Sequence, residues 1–116
     1  MSIVTDIFLY ELKRNGTFIG YLEPAFETRN SFYKKAKIYR YKNFICLMSY
    51  ETMVAYIEKT ENNEEFATVL GYYSQTTCRH VNEFLKQNGF INKNIPKKYY
   101  DSDMLMFKKG ATNLCN

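Results

Sequence analysis

The chain of 116 residues contains no tryptophan, one histidine, three cysteines, two prolines and five glycines. A lone histidine, His80, excludes a multi-histidine metal cage built from one chain. Cys46, Cys78 and Cys115 form no C-x-x-C pair and have no metal-ligand spacing. Three thiols without such spacing point to reduced cysteines rather than a disulfide scaffold. The longest apolar run, residues 44–48, is far short of the roughly 20 residues that span a bilayer. Residues 1–10 lack a basic stretch followed by an apolar core, which argues against a signal peptide. The expectation is a protein of a bacterial cytoplasm, with no cofactor and no membrane partner. Walker A, G-x-G-x-x-G and G-x-S-x-G motifs are all missing, so an enzymatic reading has no anchor and none is expected.

What is present is a globular balance: 46% hydrophobic, 24% charged and 17% aromatic residues, with a net charge of +4. The length fits one domain over residues 1–116. The 12 lysines to four arginines, with many Asn, Ile and Tyr, share AT-rich codons and point to a low-GC bacterium or its mobile elements.

Residues 7–24 read as a β-hairpin. Phe8, Tyr10 and Leu12 alternate with Leu9, Glu11 and Lys13, and Asn15-Gly16 is the strongest short turn signal. Such a hairpin would pair Leu12 with Ile19 and Tyr10 with Tyr21. The competing reading is a short helix on the spacing of Ile3, Val4, Ile7 and Phe8, with Gly16 after its end. Residues 24–32 read as a connector. Strands are expected over 35–41, 44–48, 52–58 and 66–73, with 44–48 apolar enough to be central. Residues 74–88 form the clearest helix, capped by Ser74, Thr76 or Thr77. Its apolar face is Cys78, Val81, Phe84 and Leu85, and its polar face Arg79, Asn82, Glu83 and Lys86. Gly89 and Phe90 fit a Schellman ending on Leu85. Residues 91–98 read as a polar connector, 104–107 as a last strand, and 91–116 as a weakly ordered tail.

The order of elements predicts a single α+β domain, an antiparallel sheet of five or six strands with one main helix, at 75–88, packed on one face. Val81, Phe84 and Leu85 should cover the sheet near Ile45, Leu47, Ala55 and Ile57.

Four constellations bear on chemistry. Cys78 and His80 lie about 200° apart on a helix, so they form no thiolate–imidazole pair there. Glu64 with Glu65, and Asp101 with Asp103, sit in polar segments, where a solvated face explains them. Residues 29–42 hold Arg29, Lys34, Lys35, Lys37, Arg40 and Lys42 with no acid, interleaved with Phe32, Tyr33, Tyr39 and Tyr41. On a strand, Lys35, Lys37, Tyr39 and Tyr41 share one face, where cations neutralise phosphates and rings stack on unpaired bases. The plain alternative is a solvated face with edge lysines. Residues 51–65 carry five glutamates against Lys59, so the chain is charge-polarised. Last, Ser74, Thr76, Thr77, Arg79 and His80 gather where a strand enters the helix, an arrangement that accepts an anion or merely caps the helix.

Ser49-Tyr50-Glu51-Thr52-Met53-Val54-Ala55-Tyr56-Ile57 and Gly71-Tyr72-Tyr73-Ser74-Gln75-Thr76-Thr77-Cys78-Arg79-His80 resemble a group of small domains encoded by phages and prophages of low-GC bacteria. The resemblance covers about residues 42–90 and brings no catalytic residue. It implies a phage accessory protein that binds nucleic acid or a host nucleic-acid-binding protein. The binding candidates are Lys34, Lys35, Lys37, Tyr39, Arg40, Tyr41, Arg79 and His80. The alternatives are an inhibitor of a host defence nuclease, in the manner of anti-CRISPR proteins, and a structural or oligomeric phage protein.

Overall fold

A computed structural model describes residues 7, 10–12, 14–26, 34–70, 74–101 and 105–110. Six strands form one sheet: β1 Thr17–Tyr21, β2 Ala36–Tyr41, β3 Phe44–Ser49, β4 Thr52–Lys59, β5 Glu65–Val69 and β6 Leu105–Lys108. Their spatial order is their sequence order, and every neighbouring pair is antiparallel. The main helix, α1 Gln75–Gln87, enters between β5 and β6, followed by a 3-10 turn at Lys97–Asp101. The architecture is the expected α+β domain, with a Cα radius of gyration of 13.3 Å, close to that of a compact chain this long.

Short connections set the register. Lys42 and Asn43 link Tyr41 to its partner Phe44, and Tyr50 and Glu51 link Ser49 to Thr52. Lys42 and Tyr50 take positive φ values of 53° and 58°, which a two-residue hairpin turn requires. In β4 a bulge at Val54 puts both Val54 and Ala55 into the core beneath the helix. That core joins Leu47, Ala55, Ile57, Ala67 and Val69 of the sheet to Val81, Phe84 and Leu85 of α1. The ending of α1 is the expected Schellman motif. Gly89 has φ of 80°, its N–H donates to Lys86 O, and Phe90 N–H donates to Leu85 O at 2.9 Å.

The sheet's other face, its outer face, carries a second cluster of Leu12, Cys46, Met48 and Met53, with Tyr39, Tyr41, Phe44, Tyr56 and Leu70 packed on it. This is why β3 is apolar from Phe44 to Met48: both its faces are covered.

Two expectations need correction. The described residues of 7–15 do not form the first arm of a hairpin. Ile7, Tyr10, Glu11, Leu12, Arg14 and Asn15 are helical, and Gly16 N–H donates to Leu12 O at 2.7 Å. Pairs four apart support this turn: Arg14 donates to the Tyr10 hydroxyl and Asn15 to Glu11. β1 therefore pairs with β2, not with residues 7–14. The segment after α1 is also more than a loose tail. Ile91, Ile95, Tyr100, Leu105 and Phe107 all belong to the main core, and β6 runs to Lys108. Of residues 108–116, expected to fray, Lys108 ends β6 and 111–116 lie outside the described residues, as does the end of the strand expected over 66–73.

Candidate functional site

The basic segment is divided by the sheet. Alternation along β2 turns Lys37, Tyr39 and Tyr41 to the outer face and Ile38 and Arg40 to the helix side. Lys34 and Lys35 precede the strand, where Lys35 O accepts from Tyr50 N–H. Lys42 lies at the opposite end, its ammonium 5.2 Å from the Tyr41 ring centroid. Arg29, Phe32 and Tyr33 lie outside the described residues.

The outer face is not the open platform expected from β2 alone. Lys37, Tyr39 and Tyr41 are half-buried, and the two tyrosines pack on the cluster that Leu12 forms over this side of the sheet. Lys37 donates to Glu51 at 3.0 Å, and this bond raises the lysine pKa above its ordinary value. What the outer face does present is an aromatic cluster shared with β1. Phe18 sits opposite Tyr39, ring centroids 5.4 Å apart, and 5.2 Å from Tyr21. Phe18 is 46% and Tyr21 41% exposed. Neither ring stood among the expected site residues. Pairing β1 with β2, rather than with residues 7–14, is the signal that would have found them.

The strand-to-helix junction is consumed by the fold. Ser74 is the N-cap and accepts from Thr77 N–H at 3.3 Å. Thr77 is buried, and its hydroxyl lies 2.9 Å from that of Ser49. Thr76 is half-buried. His80, expected to face solvent, is 0% exposed, with Nδ1 2.8 Å from Ser49 Oγ. It is withdrawn as a contact residue, because no partner reaches a fully enclosed imidazole. Arg79 lies on the outward side of α1, in a depression lined also by Phe26, Lys86 and Asn94, and does not join the β2 cations.

The polar helix face is likewise covered in part. The Glu83 carboxylate accepts from Ala25 N–H and Phe26 N–H, both at 3.0 Å, and from Gln87 at 2.6 Å. Asn82 Oδ1 accepts from Ile95 N–H at 2.9 Å. The other carboxylates considered are structural: Glu64 pairs with Lys108 at 2.7 Å and Glu65 with Lys109 at 3.2 Å. The side chain of Asp101 and all of Asp103 lie outside the described residues. Burial pushes the Cys46 thiol up to about 12, so it is no nucleophile at neutral pH. Cys115 is outside the described residues. Among those described, no His, Cys, Asp and Glu group is placed to hold a metal ion. Nor is any helix among them long and apolar enough to cross a membrane.

These features define an α+β domain with an open antiparallel sheet, one helix across one face and an aromatic cluster on the other. The chain belongs to a family of unknown function, DUF8033, whose family model matches residues 21–102. That match extends on both sides of the 42–90 resemblance and takes in β1's last residue, all of β2 and the segment after α1. No curated protein and no solved structure matches the chain.

Proposed function

We propose that this protein binds single-stranded nucleic acid on the outer face of β1 and β2. The observation that carries the reading is the ring cluster of exposed Phe18 and Tyr21 with half-buried Tyr39, edge-to-face with centroids 5.2 and 5.4 Å apart. Exposed rings on a sheet stack on unpaired bases without regard to sequence. Arg14, Lys35 and Lys42 are exposed around this face, and the net charge of +4 favours a polyanion. The reading is of binding, not catalysis: Ser49 and His80, a hydroxyl–imidazole pair in the described structure, are shut off from solvent. The AT-rich-codon composition supports a phage or prophage accessory role in a bacterial cytoplasm. Phosphate mimicry by the acidic stretch is disfavoured, because Glu64 and Glu65 already hold lysines of β6 and the turn after it.

The test is fluorescence anisotropy with labelled single- and double-stranded oligonucleotides at about 50 and 200 mM salt. Binding should favour single strands and weaken with salt. Phe18→Ser should cost about 1–3 kcal/mol of affinity, the worth of one stacked base. Lys35→Glu and Lys42→Glu should weaken binding to all sequences alike. A wild-type protein that binds no strand at low salt overturns the reading and turns the search to a host protein target.

A further inference from the structure

We propose that a groove at the β2–β3 turn, on the helix side of the sheet, is a nucleoside-phosphate site. The groove is open to solvent and has a volume of about 390 Å³, within the range of small-ligand sites. Its floor is Ile45 and Ile57, cross-strand neighbours in the same row as Arg40. Its rim carries Arg40, Lys42 and Lys59. Asn43 fixes the geometry, because its side-chain amide donates to Lys59 O at 2.9 Å and its carbonyl accepts from Lys59 N–H at 3.1 Å. The two ends of the rim are thus joined.

This groove gathers three cations on one rim. Lys37, Lys108 and Lys109 each hold a carboxylate. Arg40, Lys42 and Lys59 have no carboxylate partner among the described residues. The acid beside them, Glu65, is taken by Lys109. Three like charges at one rim repel one another, a repulsion that an anion between them relieves. A phosphate group satisfies them with charge-assisted hydrogen bonds, and a guanidinium suits phosphate in particular. The aliphatic floor adds what bare phosphate cannot use, an apolar surface for a base or sugar. The ligand chemistry is therefore a nucleoside phosphate, carried by a free nucleotide or by the 5′-phosphorylated end of a strand. The groove faces away from the Phe18 ring cluster, and of its rim cations Lys42 alone is shared with the proposed strand-binding face, so Arg40 and Lys59 test the groove separately.

The test is titration of isotope-labelled protein with ADP, inorganic phosphate and a 5′-phosphorylated dinucleotide, following backbone amide shifts. ADP should move the amides of Arg40, Asn43, Ile45 and Lys59 and bind about tenfold more tightly than phosphate. Arg40→Gln and Lys59→Glu should each weaken ADP about tenfold or more, the fold-change of a lost charge-assisted hydrogen bond. Lys93→Glu, an exposed cation elsewhere, should leave ADP affinity unchanged. All these side chains are exposed, so circular dichroism should show an intact fold. Tighter binding of the dinucleotide than of ADP assigns the site to strand ends, and the reverse to free nucleotides. No shift at millimolar ADP, equal affinity for phosphate and ADP, shifts confined to the outer face, or unchanged affinity in both groove variants would each overturn the proposal.

Discussion

His80 and Ser49 meet inside the protein, Nδ1 of the imidazole 2.8 Å from Oγ of the serine, at the end of β3 beneath the first turns of α1. Thr77 continues the chain, its Oγ1 2.9 Å from the same serine oxygen. The three groups satisfy one another where water is excluded. Ser49→Ala leaves both the imidazole nitrogen and the Thr77 hydroxyl short of this partner. It should cost about 1–3 kcal/mol, the penalty for an unsatisfied buried polar group. Urea unfolding of the two proteins measures it, and an unmoved midpoint would show that the serine is dispensable.

Glu83 fastens a distant segment to the helix. Its carboxylate is only 2% exposed and accepts two backbone N–H groups, of Ala25 and Phe26. Glu83→Ala should free those amides, raising their hydrogen-exchange rates by about tenfold or more while α1 keeps its protection. Exchange measured amide by amide separates local release from global loss of stability.

Gly16 and Gly20 make a matched pair. A Cβ added at Gly16 would stand 2.4 Å from Leu12 O and 2.6 Å from Leu12 Cδ1, both too close. A Cβ at Gly20 meets nothing within 4 Å. Gly16→Ala should therefore destabilise by about 1–3 kcal/mol, as overpacking does. Gly20→Ala should stabilise by about 0.4–1 kcal/mol, by restricting the unfolded chain. Thermal melting of both variants checks the contrast, and equal shifts would contradict it.

Cys46 gives the fold an alkaline limit. Desolvation raises its thiol from 9.0 to about 12, so the folded state holds the proton more firmly than the unfolded chain does. This contribution is complete below pH 9 and is lost as pH rises from 9 toward 12. The three-unit gap corresponds to a loss on the order of 4 kcal/mol. The Lys37–Glu51 bond acts in the same direction, since a raised lysine pKa is also overtaken at high pH. Comparing urea midpoints at about pH 8 and about pH 11 should show a smaller fall in Cys46→Ala than in the wild type. Equal falls would locate the alkaline limit elsewhere.

The sequence by itself determined the elements whose signals are local. α1 has its N-cap Ser74, its apolar stripe of Val81, Phe84 and Leu85 and its Gly89-Phe90 ending within one stretch of chain. β3 is apolar on both faces, and Lys42-Asn43 fits a two-residue turn. Each of these is set by nearby backbone hydrogen bonds and by side-chain period, so each was legible. Tertiary structure decided what rests on distant partners. Alternating residues around Tyr10 and Leu12 fit a strand, yet Leu12 is drawn onto the face of Cys46, Met48 and Met53, and i,i+4 pairs hold the turn helical. His80 and Glu83 look solvent-facing on a helical wheel, but Ser49 and the 25–26 backbone supply polar partners that make their burial tolerable. The basic run of β2 looks like one site because it is continuous in sequence. A strand sends successive side chains to opposite faces, so the sheet parted Lys37 from Arg40. It then joined Tyr39 to Phe18 and Arg40 to Lys59, relations that only the packed strands create.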